Sequence, residues 1–197
     1  NKFEIETSYG IKAWKRWGNT AEQIIKSNPY VLCIQGVDLS FSRADAVAAK
    51  SDIPADSECR IKAGITYILR QNADQGHTCL PLDSLVKTAV SYLDVDEKLI
   101  KKVIEDETEE ENLYYYDKHG RRFVMLADFY KAEDYIARRL AIMRQISYDN
   151  KIDFSEVIDL EEENNGIQYE KIQREAINLA LSKGFLVLTG GPGTGKT

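Results

Sequence analysis

The sequence predicts a mainly helical protein with one small β-hairpin, followed by the first strand and the phosphate-binding loop of a truncated α/β domain. Several segments between residues 20 and 145 repeat apolar residues at the three- and four-residue spacing of an amphipathic helix. Two aromatic, β-prone runs at residues 113–116 and 122–125 flank a polar loop with a glycine, which is the pattern of a hairpin. The last eight residues, 190–197, read Gly-Gly-Pro-Gly-Thr-Gly-Lys-Thr and follow a continuous apolar run.

The first third of the chain is predicted to be helical. Residues 20–23 have the spacing of a capping box and open a helix that runs toward Ser27. The pair Asn28-Pro29 ends this helix, because the residue before a proline is pushed out of the α region. A second start signal lies at residues 42–45. The connection between the two helices, residues 34–41, is short and contains a glycine.

A third helix is predicted over residues 57–72, and Gly76 ends this segment. The apolar residues on one face of this helix are Ile61, Ile65, Ile68 and Leu69. Two more helices are predicted within residues 81–106, with Asp83 and Asp96 as their N-cap residues.

The hairpin over residues 113–125 comes directly after these two helices, and two helices followed by a hairpin suggest a winged-helix unit. A long helix is predicted next, over residues 128–145, because apolar residues again recur at spacings of three and four. These apolar residues are Phe129, Ala132, Ile136, Leu140 and Met143.

The sequence divides into four parts. They are a helical region at residues 1–76, a winged-helix-like unit with its hairpin and following helix at 77–146, a linker at 147–166, and the start of an ATPase domain at 167–197. The linker is predicted because its residues lose helical periodicity and gain acidic side chains. A helix over residues 168–183 then leads toward the glycine-rich end. Since the chain begins without methionine and stops inside a fold, we expect an internal fragment of a larger protein.

The composition, with 43% hydrophobic and 29% charged residues, is that of an ordinary soluble protein. No apolar run is long enough for a membrane span and no signal-peptide pattern is present, so we expect a cytoplasmic protein without a membrane partner. The net charge of −6 does not exclude nucleic acid, because residues 118–151 carry eight basic and four acidic side chains.

The three cysteines are Cys33, Cys59 and Cys79. Their odd number and wide spacing favour free thiols in a reducing compartment over a disulfide scaffold. His77 and His119 lie far from any cysteine pair, which disfavours a zinc site.

The glycine-rich end matches the pattern G-x-x-x-x-G-K-[ST], and the apolar run at residues 185–189 before it reads as a buried parallel strand. Glycines let successive backbone N–H groups turn toward a triphosphate. Lys196 is then expected to reach the β- and γ-phosphates of ATP as the catalytic residue, and the hydroxyl of Thr197 to bind Mg²⁺. The predicted ATP-binding residues of this loop are Gly190, Gly191, Pro192, Gly193, Thr194, Gly195, Lys196 and Thr197.

Gln173 gains meaning from its position. Residues 172–176, followed by a helix, an apolar run and the phosphate loop, resemble the adenine-recognising segment of superfamily-1 helicases. A glutamine amide offers both an acceptor and donors, so Gln173 can match the edge of adenine. The alternative is a surface glutamine on an amphipathic helix.

The amino-terminal part resembles RecD-like helicases, the RecD/TraA-type branch of superfamily 1, and the resemblance covers nearly the whole chain. The segments that carry it are Gly18-Asn19, 21–27, 28–32, 41–48, Arg60, 76–80, 130–137 and 188–197. The resemblance implies a helix-hairpin-helix region ahead of a RecA-like motor that moves on single-stranded DNA in the 5′ to 3′ direction.

The sequence departs from the helix-hairpin-helix pattern at the hairpin itself. Such hairpins bind the DNA backbone through main-chain N–H groups of a Gly-x-Gly turn. Gly36 is present, but Asp38 stands where a second glycine is expected, and a carboxylate there repels phosphate. We therefore expect a structural hairpin without direct DNA contact at Gly36.

Basic residues elsewhere are better candidates for DNA contact. They are Lys118, Arg121 and Arg122 at the tip of the β-hairpin and Arg138 and Arg139 on the following helix. A solvated charged face is the alternative.

The sequence as a whole predicts a fragment of a bacterial ATP-dependent 5′–3′ DNA helicase that acts in repair or recombination. Its partners would be single-stranded or tailed duplex DNA and possible proteins of a repair complex. The remaining motor motifs are expected beyond Thr197, so this chain alone should be inactive. An AAA-type remodelling ATPase and a non-enzymatic DNA or protein docking module are the alternatives.

Overall fold

The computed structural model describes residues 5–34, 36–146, 154–183, 185–193 and 195. The chain forms two compact units, Asn1–Tyr130 and Lys131–Thr197. The four-part division made from the sequence stays a prediction.

The described residues are mainly helical, as predicted, and contain one small sheet. The α-helices are α1 (Thr7–Trp17), α2 (Ala21–Ser27), α3 (Phe41–Ala49), α4 (Glu58–Asp74), α5 (Leu82–Leu93), α6 (Glu97–Glu109), α7 (Ala127–Gln145), α8 (Ser155–Asn165) and α9 (Lys171–Ser182). The strands are β1 (Cys79–Pro81), β2 (Leu113–Lys118) and β3 (Arg121–Leu126). Short 3-10 helices, Gly18–Thr20 and Pro29–Cys33, precede α2 and α3.

The sheet is antiparallel, with the strand order β1-β3-β2. β2 and β3 form the predicted hairpin, whereas the three-residue β1 was missed from the sequence. His119 and Gly120 make the turn, with φ angles of 51° and 73°. Positive φ at both central residues is what a type I′ turn requires, and the twist of this turn matches that of the strands it joins.

The core of the first unit includes the predicted face of α4, because its residues Ile61, Ile65, Ile68 and Leu69 are all buried. α5 packs against α4 at Gly64, where an added Cβ would lie 2.6 Å from Cδ2 of Leu93. That distance is too short for an ordinary contact, so glycine allows the two helices to approach this closely.

The predicted N-caps of the last two helices before the hairpin are half right. Asp96 is the N-cap of α6, and its carboxylate accepts a hydrogen bond from the backbone N–H of Lys98 at 2.8 Å. Asp83 is not an N-cap, because α5 begins at Leu82 directly after Pro81 and places Asp83 in the first turn. Proline fixes φ and sets the entry into the helix one residue before Leu82.

The predicted helices α2 and α3 both form, but their N-termini differ from the prediction. α3 begins at Phe41, because Ser40 and not Ser42 has the extended backbone of an N-cap residue. Thr20 precedes α2 but makes no capping bond, and its hydroxyl instead donates to the carbonyl oxygen of Trp17 at 2.7 Å. α1 was not predicted as a separate helix.

The second unit departs more from the sequence prediction. α8 lies inside the predicted linker. Its largely acidic sequence lacks the apolar spacing that predicts a helix. Residues 185–189 are not a strand, and the side chains of Val187 and Leu188 are exposed. A strand needs a neighbour to pair with its backbone N–H and C=O groups, and the described residues of this unit contain no strand that could supply one.

The remaining two helices were predicted, with small changes in their bounds. α7 spans Ala127–Gln145, but none of its residues is buried, and Ile136 of the predicted apolar stripe is 53% exposed. α9 begins at Lys171, three residues later than predicted, because a capping box lies at Glu170.

Candidate nucleotide and DNA sites

The glycine-rich loop is described at residues 190–193 and at Gly195. Gly193 and Gly195 have φ angles of 77° and 66°, in the left-handed region that favours glycine. The predicted residues Thr194, Lys196 and Thr197 lie outside the described residues.

The side chain of Gln173 lies beside this loop. Gln173 is at the third position of α9, and its Oε1 accepts a hydrogen bond from the backbone N–H of Glu170 at 2.9 Å. Its Nε2 donates to the carbonyl oxygen of Gly195 at 3.2 Å. Both polar ends of the amide are therefore engaged within the second unit.

Two ion pairs of Arg174, which we call the Arg174 clasp, connect α8 to the start of α9. Nη1 of Arg174 donates to Oε2 of Glu162 at 2.6 Å, and Nη2 donates to Asp159. These hydrogen bonds raise the pKa of Arg174 above its ordinary value, with the bond to Asp159 as the largest cause. Sequence reasoning missed the clasp, because its partners are separated by 12 and 15 residues and no motif connects them.

The hairpin that follows the first 3-10 helices is closed by its own carboxylate. Gly36 and Asp38 have φ angles of 95° and 62°. The backbone N–H of Gly36 donates to Oδ1 of Asp38 at 3.0 Å, and Nζ of Lys12 lies 3.5 Å from Oδ2. The donor that a helix-hairpin-helix motif would offer to a phosphate is thus already bound to an oxygen of the chain.

A hydrogen-bonded network in the first unit joins Tyr30, Asp45 and Arg60. Arg60 donates from Nε to Oδ1 of Asp45 at 2.7 Å and from Nη2 to Oδ2 at 3.2 Å. The hydroxyl of Tyr30 donates to the same Oδ1 at 2.5 Å. Burial raises the pKa of Asp45, but hydrogen bonds from Arg60 and Tyr30 outweigh burial, and the pKa lies below its ordinary value.

A cleft of about 1040 Å³ opens in the first unit beside the network. Tyr30, Phe41 and Tyr67 contribute stacked rings to its lining, with neighbouring centroids 5.6 and 5.7 Å apart. Cys33 and Cys59 also line the cleft, and none of the three cysteines forms a disulfide in the described residues. Burial raises the pKa of Cys33 to about 11. The parts of the chain that the structure describes contain no cluster of His, Cys, Asp or Glu placed to hold a metal.

The five basic residues predicted to contact DNA differ in their surroundings. Arg122 forms a two-point ion pair with Asp117, with N–O distances of 3.0 and 3.2 Å, and Arg138 pairs with Asp134 at 2.7 Å. Lys118 and Arg121 face each other across the turn of the β-hairpin. The side chains of Lys118, Arg121 and Arg139 have no partner among the described residues. Arg138 and Arg139 belong to the second unit.

The comparison with known families bears on the first unit. Residues 1–79 match the family model of the ATP-dependent RecD2 DNA helicase HHH domain. The matched range ends at β1 and includes the hairpin at Gly36 and the network of Asp45 and Arg60. This match supports the interpretation of residues 1–79 as the amino-terminal region of a RecD2-type helicase, and it supports DNA binding. Among the helices in the described residues, none has the length and apolar character needed to cross a membrane.

Proposed function

We propose that the chain is the amino-terminal part of an ATP-dependent DNA helicase of the RecD2 type, moving 5′ to 3′ on single-stranded DNA during repair or recombination. The observation that carries this proposal is the presence of two signals in one chain and in the expected order. The first is the family match over residues 1–79. The second is the phosphate-loop sequence of residues 190–197, preceded by Gln173.

The described part of the loop is compatible with bound ATP. Gly193 and Gly195 have left-handed φ angles, and residues with such angles occur in the turns whose backbone N–H groups bind an anion. Lys196 would then hold the β- and γ-phosphates and Thr197 would hold Mg²⁺, with ATP supplying the free energy for translocation. Gln173 would exchange its hydrogen bonds to Glu170 and Gly195 for the edge of adenine.

The first unit would supply DNA binding. The order of elements α4-β1-α5-α6-β2-β3 and the sheet order β1-β3-β2 support the winged-helix interpretation, with the β2–β3 hairpin as the wing. Lys118 and Arg121 at its tip would contact phosphates directly. Arg122 and Arg138 would first have to leave their carboxylate partners. The closed hairpin at Gly36 would pack against its neighbours.

Unwinding of tailed duplexes tests this function. The longer protein required by the proposal, carrying the motor motifs expected after Thr197, is compared on duplexes with a 5′ or a 3′ tail. We expect ATP-driven unwinding of the 5′-tailed substrate alone, and none by Lys196→Ala. Lys196-dependent ATP hydrolysis without unwinding of either substrate would contradict the helicase and favour an AAA-type remodelling ATPase.

A further inference from the structure

The β2–β3 hairpin has two different sides. Residues directly opposite each other in an antiparallel pair lie on the same side of the sheet, and successive residues alternate between sides. Leu113 pairs with Leu126 and Tyr115 pairs with Val124. Leu113, Val124 and Leu126 are buried in the core of the first unit. This side of the hairpin is therefore occupied by the protein itself.

The other side carries aromatic residues followed by basic ones. Tyr116 pairs with Phe123, and Lys118 pairs with Arg121. We call these four residues the outer hairpin face. Next to these four residues, the ring of Tyr114 stacks on that of Tyr130, at the start of α7, with centroids 4.1 Å apart and planes within 4°.

The ring of Tyr116 is open to a further stacking partner. Tyr116 is 46% exposed. The centroid of its ring lies 6.4 Å from that of Phe123, and the two ring planes meet at an angle of 49°. Tyr114, on the same side of β2, already holds a parallel ring in this way. A tyrosine on this side of β2 can therefore hold a flat ring against its own.

The charges of the hairpin are sorted between its two sides. Asp117 lies on the core side, where its carboxylate is bound to Arg122. Lys118 and Arg121 lie on the outer hairpin face, and neither side chain has a partner in the described parts of the chain. The two strands place no acidic residue on the outer side. An anion that approaches the outer hairpin face therefore meets two available cations.

We propose that the outer hairpin face binds single-stranded DNA, with a base stacked on Tyr116 and neighbouring phosphates held by Lys118 and Arg121. The inference rests on the proposed function, which makes DNA the partner. A single strand fits and a duplex does not, because a duplex keeps the faces of its bases inside its own stack, whereas an open strand offers them to aromatic side chains. Tyr116 and Lys118 are two residues apart on one strand, about 7 Å, a span that one nucleotide can bridge.

Fluorescence anisotropy with the whole chain tests the stacking contact. The probes are a labelled oligothymidylate of about 20 nucleotides, longer than typical single-strand sites, an abasic strand of equal length, and a duplex of equal length. We expect the chain to bind oligothymidylate about tenfold more tightly than the abasic strand. Tyr116→Ala should abolish this difference, while Tyr116→Trp should retain it. Duplex binding should be unchanged in both variants.

Salt titration tests the phosphate contacts. Lys118→Ala and Arg121→Ala should each reduce the slope of log affinity against log salt by about 0.7 on single strands, with or without bases. Trp14→Ala removes an exposed ring elsewhere in the unit, and Lys87→Ala removes an exposed lysine of α5. Both serve as matched controls and should leave single-strand binding unchanged. Thermal melting followed by circular dichroism verifies that each variant is folded.

The outcomes separate this inference from the proposed function. If Tyr116→Ala binds oligothymidylate as tightly as the wild type while Lys118→Ala and Arg121→Ala weaken binding, base stacking is overturned and DNA binding stands. If the chain binds none of the three probes, the outer hairpin face is not a DNA site. In that case the unwinding experiment on the longer protein still decides the proposed function.

Discussion

The guanidinium of Arg60 on α4 joins the carboxylate of Asp45 on α3 through two hydrogen bonds, at 2.7 and 3.2 Å. Nη1 of Arg60 donates to two main-chain carbonyl oxygens, those of Ala55 and Leu93, at 2.7 and 2.9 Å. One side chain therefore connects α3, the loop before α4 and the end of α5. Only 14% of the Arg60 side chain is exposed, so its contacts are little screened by solvent.

Replacement of Arg60 should destabilise the first unit. We expect Arg60→Ala to lower the free energy of unfolding by about 3 kcal/mol, because it leaves Asp45 without its cation and two carbonyl groups without their donor. Arg60→Lys should recover only part of the loss, since lysine lacks the planar fork. Urea denaturation measures both. Arg43→Ala is the control, because Arg43 and Glu6 form an ion pair whose side chains are 55% and 60% exposed. An equal loss in both alanine variants would contradict the role given to Arg60.

The same network should make stability depend on pH. The pKa of Asp45 lies below its ordinary value in the folded protein, so its ionised form favours folding. That contribution is fully present above the unfolded pKa of about 3.9 and disappears as pH falls through the folded pKa. The stability difference between the wild type and Asp45→Asn should therefore be constant near neutral pH and shrink as pH falls below about 5. A difference that stays constant through this fall in pH would show that the charge of Asp45 is not responsible.

Gly64 should tolerate no side chain. A Cβ at this position would lie 2.6 Å from Cδ2 of Leu93, which is buried. We expect Gly64→Ala to cost about 2 kcal/mol of stability, because the buried side chain of Leu93, or the helices that hold it, must shift to make room. Gly10→Ala is the matched control, since nothing lies within 4 Å of a Cβ there and α1 is helical. That change should stabilise the protein by about 0.5–1 kcal/mol, and thermal melting distinguishes the two signs.

Asp38→Gly should open the hairpin at Gly36 to phosphate. The change frees the N–H of Gly36 and removes a negative charge, so we expect duplex DNA to bind about fivefold more tightly. Asp38→Asn should give a smaller gain, because the asparagine oxygen can still accept the Gly36 N–H. Anisotropy at fixed salt measures each affinity.

The control for this prediction is Asp52→Gly. Asp52 is exposed and also has a positive φ, 55°, so the control makes the same change in charge and in backbone strain. A similar gain in affinity from both glycine variants would mean that net charge alone explains the effect.

Local patterns in the sequence predicted the elements that need few distant partners. The apolar face of α4 is buried as its spacing indicates, and Asp96 caps α6. The composition of residues 185–189 predicts a strand, but a strand forms only beside another strand that pairs with its backbone N–H and C=O groups. α8 was missed for the opposite reason, because its acidic residues look like a linker although Glu162 pairs with Arg174.

The candidate sites show the same limit. Sequence placed basic residues at the tip of the β-hairpin, but it could not tell that Arg122 is bound to Asp117 while Lys118 is not. Strand register decides this, because it sets the side of the sheet on which each residue lies. The closure of Gly36 was anticipated only as repulsion by Asp38, whereas the structure shows a direct hydrogen bond.

The bond between Asp38 and Gly36 also has a genetic consequence. Aspartate and glycine codons of the GAY and GGY type differ in their second base alone, so a single transition converts the closed hairpin into a Gly-x-Gly turn. Because position 38 already has the backbone angle that suits glycine, this step requires no compensating change in the fold. One mutation therefore separates a turn whose Gly36 N–H is bound by a carboxylate from a turn in which that N–H is free.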